Sequence, residues 1–183
     1  MLPLVKSSRI RILIFLNLIF ATSLQAQTVE DRVKVIRQMY AEVNDLHQSG
    51  LNSGCKQGSS GRESAIDHTG RNTFQKCSQC FYRGGYSKLT SRLVGWEFET
   101  NSEYYYKNGK LFFIYVVHYN VCGKSEFRYY FDAYGRSIRI LEKPDDCDEE
   151  GVKINREVYN TQRKTELLND ANEVLRDALY IVN

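Results

Sequence analysis

Residues 110–119, Lys-Leu-Phe-Phe-Ile-Tyr-Val-Val-His-Tyr, constrain the fold more than any other stretch, because as a strand they have no polar face. Side chains alternate across a strand, so Leu111, Phe113, Tyr115 and Val117 share one face and Phe112, Ile114 and Val116 the other. Such a strand belongs in the middle of a sheet, covered on both sides. Its neighbours alternate more cleanly: Val94, Trp96 and Phe98 oppose Gly95, Glu97 and Glu99, while Phe127, Tyr129 and Phe131 oppose Glu126, Arg128 and Tyr130. The whole region 90–142 is dense in Tyr, Phe, Val and Ile with turn residues at short intervals, which predicts an antiparallel meander with strands at 91–99, 103–107, 110–119, 125–131 and 136–142. Asn108-Gly109 is the strongest hairpin signal, since both residues tolerate the positive φ of a tight turn. Asp132-Ala133-Tyr134-Gly135 is a second.

Two helices are expected on either side of the meander in sequence. Over residues 29 to about 47, Val29, Val33, Ile36, Tyr40 and Val43 recur at three- and four-residue spacing, with Thr28 as N-cap and Asp31 where a capping-box acid would stand. Over about 162–181, Leu167, Leu168, Ala171, Val174, Leu175, Ala178 and Leu179 form a broad apolar stripe. The segment 49–86 turns to Gly, Ser, Asn, Lys and Cys and shows neither period, so it reads as a long Gly/Ser/Cys-rich surface loop stapled by its own cysteines. The expectation is an α+β domain: an N-terminal helix, an antiparallel meander of four to five strands, and a C-terminal helix packed on the sheet, with both helices on one face. This element order resembles the cystatin-like and nuclear-transport-factor-like group of folds, and small exported bacterial α+β proteins of unknown function. The resemblance implies a fold and carries over no functional residues.

Met1 to Ala26 read as an export signal, with Lys6, Arg9 and Arg11 and no acid, then the apolar run 12–21, then small residues. Cleavage is expected after Ala26, a cut after Ser23 also fitting, which leaves 27–183 as a single domain. The apolar run falls short of the roughly 20 residues that span a bilayer. The expectation is therefore a secreted or periplasmic protein with no membrane span once the signal is removed. The three basic residues of the signal account for the whole formal charge of +3, so the remaining chain is balanced and lacks the basic footprint of a nucleic-acid binder.

In an oxidising compartment the five cysteines, Cys55, Cys77, Cys80, Cys122 and Cys147, are expected to form disulfides. Cys122 lies in the turn after strand 110–119 and Cys147 just past strand 136–142, which returns to the same end of the sheet; they are expected to pair, and Cys55 to pair with Cys77 or Cys80. The competing reading of Cys77-Ser78-Gln79-Cys80 as a redox dithiol lacks the strand-to-helix unit such a site needs. Zinc held by Cys55, Cys77, Cys80 and His68 lacks a second two-cysteine knuckle. Asp146, Asp148, Glu150, Gly151 and Glu157 follow part of a calcium-loop pattern, but Lys153 stands where an apolar residue belongs and strand precedes the loop, so a solvated acidic loop is expected and no cofactor.

Only three histidines occur, and no serine sits in a nucleophile elbow. The enzymatic alternative is thiol-disulfide exchange through Cys77 and Cys80, or hydrolysis at His118 with Glu97 or Glu126. The preferred class is a non-enzymatic binding protein for a protein or small envelope ligand, of inhibitor or immunity type. With both helices on one face, the other would display Tyr105, Tyr115, Tyr119, Arg128 and Tyr130 as the binding surface, since rings with hydroxyl tips interleaved with Arg make effective contacts.

Overall fold

A computed structural model describes residues 28–61, 73–145 and 155–183. Helix α1 (Val29–Gln48) begins as the sequence predicts: the Thr28 side chain accepts from the Asp31 amide at 3.1 Å, and the Asp31 carboxylate accepts from the Thr28 amide at 3.2 Å. Two otherwise unpaired amides at the helix start are thereby satisfied. Among the described residues eight strands follow, β1 (Asn52–Ser60), β2 (Phe74–Tyr82), β3 (Tyr86–Val94), β4 (Glu99–Lys107), β5 (Lys110–Asn120), β6 (Gly123–Phe131), β7 (Ser137–Lys143) and the short β8 (Arg156–Glu157). They pair antiparallel in chain order to form one open sheet. Helix α2 (Thr161–Val182) closes the chain, capped by the Asn160 side chain, which accepts from the Arg163 amide at 2.9 Å. The protein is thus α+β, with a helix, an antiparallel meander and a second helix. Among the described residues no helix is long and apolar enough to cross a membrane.

The turns obey the expected chemistry. Asn108 and Gly109 take φ of 51° and 74° between β4 and β5, and Gly135 takes 78° at the end of the second predicted turn, whose Asp132 carboxylate accepts from the amides of Tyr134 and Arg136.

Three expectations are corrected. Within the stretch 49–86 the described residues are largely sheet. Strand β1 is exposed along nearly its whole length, so its residues carry no alternation, and β2 buries Cys77 and Cys80 toward different faces, which breaks the pattern as well. The predicted strand 91–99 is two strands: the chain reverses between Val94 and Glu99, closed by a Gly95 amide to Phe98 carbonyl bond of 2.9 Å, and Trp96 lies in the turn, half exposed. Alternation of Val94, Trp96 and Phe98 runs straight through this reversal.

Most consequential, the helices lie on opposite faces of the sheet. Consecutive residues of β4 show it: the Tyr104 hydroxyl donates to the Ala171 carbonyl of α2 at 3.1 Å, whereas the Tyr105 hydroxyl lies 3.0 Å from Asn44 Oδ1 of α1. Leu89, Ile114, Val116, Tyr129 and Ile140 pack with Leu167, Ala171, Ala178 and Val182 of α2. Tyr82, Tyr86, Tyr105, Phe113 and Tyr130 pack with Val33, Ile36, Val43 and Leu46 of α1, each of the helix side chains contributing roughly 1.5–3 kcal/mol by burial. Strand β5 is covered on both sides, as its composition requires.

Helix α2 runs over β1, β2 and β3, and its end comes so close to β1 that a Cβ on Gly58 would sit 2.3 Å from the Ile181 carbonyl oxygen. In ordinary extended backbone Gly→Ala stabilises a protein by limiting the unfolded chain. Here the sign reverses: Gly58→Ala is expected to cost about 1–3 kcal/mol by overpacking, read as a lower Tm in thermal unfolding. An unchanged or raised Tm would show that α2 does not press on β1.

Cys55 and Cys80 face each other across β1 and β2 and form a disulfide spanning 25 residues of sequence, which settles the expected choice of partner for Cys55. Closing a loop of that length stabilises the fold by roughly 3 kcal/mol on chain entropy. Cys77, three pairs further along and so on the α2 face, is a buried free thiol whose pKa is pushed up by burial. Native protein is therefore expected to leave Cys77 unalkylated at neutral pH, and unfolding without reduction to expose it while Cys55 and Cys80 stay blocked. Peptide mapping reads the outcome, and rapid labelling of native Cys77 would contradict this packing.

Candidate functional site

Helix α1 covers only part of its sheet face. The row Lys88, Tyr105, Phe113, Tyr130 and Arg139, set side by side by strand register, marks its edge. The next row is Thr90, Glu103, Tyr115, Arg128 and Leu141, and the row after that Arg92, Asn101, Val117, Glu126 and Lys143. These two rows are charged and aromatic where the covered part is apolar.

The five residues expected as a binding surface do share one face, but they divide between its two parts. Tyr105 and Tyr130 are 0% and 1% exposed and belong to the core beneath α1, which corrects their assignment to a surface. Tyr115 and Arg128 are half-buried at the boundary, and Tyr119 is exposed farther out. The expectation placed both helices together on the other side; with α1 on this side, the rings nearest the hairpin end became its packing partners.

At the boundary a cleft of about 380 Å³ opens between helix and sheet, lined by Arg37 and Tyr40 of α1 and by Phe113, Tyr115, Arg128 and Tyr130. That volume lies within the range of small-molecule sites. Its floor is a packed aromatic group: Tyr40 meets Tyr105 and Phe113 edge-on with ring centroids 5.0 Å apart, and Phe113 lies 5.0 Å from Tyr130. Two guanidiniums sit over rings, Arg128 at 5.2 Å from Tyr115 and Arg37 at 5.9 Å from Tyr130.

Glu126 organises the charge here. Its carboxylate accepts from the Tyr115 hydroxyl at 2.9 Å and pairs with Lys124 at 2.9 Å, Arg128 at 2.8 Å and Lys143 at 3.8 Å. Burial alone would raise its pKa, but the Lys124 and Tyr115 hydrogen bonds and the charges of Lys124 and Arg128 outweigh it and bring the carboxyl down to about 2. Arg128 is held in place by the same carboxylate and by Asn155, whose Oδ1 accepts at 2.7 Å. One carboxylate thus faces three cations, and Arg37 adds a fourth whose described polar contact is the Tyr130 hydroxyl at 3.5 Å. The surplus is positive. Burial raises the Tyr115 and Tyr40 phenols, so both remain protonated donors.

The cleft presents cations and hydroxyl donors over aromatic walls, and among the described residues no histidine, cysteine or carboxylate lines it. Cations and hydroxyl donors placed in this way can hold an anion. Arg37 escaped the sequence reading because it flanks the apolar stripe of α1, where polar residues are ordinary, and Tyr40 because its spacing makes it a member of that stripe. The i, i+2 spacing of Glu126 and Arg128 on one strand face was the available signal for their pairing.

The other sequence candidates do not converge. Glu126 faces α1 whereas His118, one register position along, faces α2, so the pairing of His118 with Glu126 is corrected. Glu97 sits in the turn between β3 and β4. The His118 ring lies 2.8 Å from the Thr100 hydroxyl through Nδ1 and stacks on Phe98, and burial lowers its pKa against the opposing charge of Asp145. Among the described residues no carboxylate hydrogen-bonds the ring to orient it. Cys77 and Cys80 point to opposite faces and Cys80 is already bonded to Cys55, so they do not form a dithiol pair. Cys122 is disulfide-bonded; Cys147, its expected partner, lies outside the described residues, as do His68, Asp146, Asp148 and Glu150. The Glu157 carboxylate is engaged by Arg139 at 3.2 Å. No group of three or more metal-ligating side chains occurs among the described residues.

The fold and cleft define a class: an α+β protein with helices on both faces of an antiparallel meander and a cationic, aromatic-walled recess beside the first helix. Comparison with protein-family models, curated proteins and solved structures found no match, so function rests on the geometry of the site itself.

Glu126 supplies a pH signature. Its pKa is depressed in the fold, so its contribution is present above the ordinary value of 4.5 and is lost as pH falls toward about 2. The shift corresponds to about 3 kcal/mol. Glu126→Gln is expected to destabilise at pH 7 and to flatten the loss of stability between pH 4.5 and 2, measured by urea unfolding across that range. A variant as acid-sensitive as the parent would place the titrating group elsewhere.

Proposed function

We propose that this chain is an exported, non-enzymatic binding protein whose cleft beside α1 receives an anionic group from a protein or small envelope ligand. The observation that carries the proposal is the surplus of cations around Glu126: Lys124, Arg128 and Lys143 against one carboxylate, with Arg37 on the facing helix. A buried acid held ionised keeps Arg128 oriented, and the remaining positive charge seeks a second anion. The aromatic floor favours a ligand in which that anion is attached to a flat or apolar body. An inhibitor or immunity role belongs to this class of function.

Export is supported by the Lys6, Arg9 and Arg11 start followed by an apolar run, and by the Cys55–Cys80 bridge, since such bridges persist in oxidising compartments. The likeness to cystatin-like and nuclear-transport-factor-like domains remains part of the proposal on element order.

Titration of the protein with benzoate and phenyl phosphate, against benzyl alcohol as the neutral counterpart, tests the reading by calorimetry. The anions are expected to bind and the alcohol not. Arg128→Met and Arg37→Met should each weaken anion binding about tenfold, or about 1.4 kcal/mol, with weaker binding at high salt. Equal affinity for the alcohol, or anion binding indifferent to both substitutions, would remove the proposal.

A further inference from the structure

A second recess lies at the other flank of α1, at the end of the sheet where the β4–β5 and β6–β7 hairpins turn. It encloses about 430 Å³ and is floored by Val35, Ile36 and Met39 of α1 together with Leu111, Phe112 and Phe131. Val35 is 43% exposed, an apolar side chain left facing the opening. The rim is basic, formed by Arg32, Lys107 and Lys110.

The cations on this rim lack a carboxylate partner among the described residues. Arg32 Nε is shielded from solvent and has no hydrogen-bond acceptor among the described residues. A guanidinium donor left in that state costs stability that a carboxylate would restore. Lys107 lies over the Tyr86 ring at 3.4 Å, and among the described residues neither it, Lys110 nor Arg32 makes an ion pair. The acid in the lining, Asp132, is taken up by Arg136 at 2.8 Å and by the Tyr134 and Arg136 amides, so it neutralises none of the three.

We infer that this recess binds a medium-chain acyl carboxylate, the chain lying on Ile36, Met39, Leu111 and Phe112 and the carboxylate taken by Arg32, with Lys107 and Lys110 beside it. The observations divide in the way an amphiphile does: an apolar floor of ligand size, and at its edge a guanidinium whose Nε lacks an acceptor among the described residues and whose planar fork matches two carboxylate oxygens. An uncharged apolar ligand leaves Arg32 unpaired, and a compact hydrophilic anion leaves the floor wet. The inference concerns a different recess from the Arg37 and Arg128 cleft and stands or falls separately.

Calorimetric titration of the full chain with sodium decanoate, below its micellar concentration, and with 1-decanol tests it. Decanoate is expected to bind at one site at least tenfold tighter than decanol. Arg32→Gln should bring decanoate to the affinity of decanol, Lys110→Gln should weaken decanoate several-fold, and Val35→Asp should weaken both. Arg37→Met and Arg128→Met should leave decanoate binding unchanged, which separates this site from the cleft. Circular dichroism confirms that each variant is folded, and Lys110, at an exposed hairpin end, serves if Arg32→Gln is not. No binding of decanoate, equal binding of decanol, insensitivity to Arg32→Gln and Lys110→Gln, or association only with anionic lipid vesicles would each overturn the inference.

Discussion

A central strand without a polar face is the constraint on which the rest of this structure depends. Ile114 is fully buried against α2 and Phe113 nearly so against α1, so β5 needs two covers, and the chain supplies one helix from each end. Antiparallel sheets commonly leave one face to water. This one cannot, and the requirement spreads outward: Tyr104 and Tyr105 on β4, and Tyr129 and Tyr130 on β6, alternate between the two helices and are all buried. Tyrosine suits the task because each ring fills a packed layer while its hydroxyl can reach a polar group on a helix, as Tyr104 reaches Ala171 and Tyr105 reaches Asn44.

The same arrangement leaves an unfinished edge on the α1 side. A helix is narrower than a sheet of eight strands, so the face it packs on passes from apolar rows to rows that meet water. Lys88 marks the passage: 5% exposed, it is paired with Glu103 at 2.8 Å, bonded to Asn44 of α1 at 3.1 Å and set over the Tyr105 ring. Such a buried pair adds little net stability, because desolvation offsets attraction, but it joins α1, β3 and β4 in one geometry. Beyond it Glu126 holds three cations in place. Both recesses described above open where α1 runs out of sheet to cover, which is why aromatic floors and unpaired cations occur side by side there.

Much of the local structure was legible beforehand. The Thr28 and Asp31 cap, the Asn108-Gly109 turn, the Gly135 position and both helical stripes rest on interactions within a few residues, and the chain carries them in its spacing. Legibility failed where pattern and environment separate. Strand β1 is polar throughout because it is an exposed edge, and Gly58 is glycine because the end of α2 passes over it, a reason that no neighbouring residue shows. Trp96 continues the alternation of β3 past the point where the chain has already turned. Of the cleft, Tyr115 and Arg128 were readable as partners on one face, whereas Arg37 looked like an ordinary flanking position of a helix and Tyr40 like one more member of its apolar stripe.

The amino-acid sequence by itself determined that this is an α+β chain with a two-sided central strand, capped helices, a meander and cysteines suited to bridging, because each of these is written in nearest-neighbour spacing. The tertiary structure alone decided which face each helix takes, and with it whether Tyr105 and Tyr130 are surface or core. The physical reason is that strand alternation specifies two faces without naming them. The choice is made when α1 and α2 bury their stripes, and only packing against the whole sheet distinguishes one side from the other.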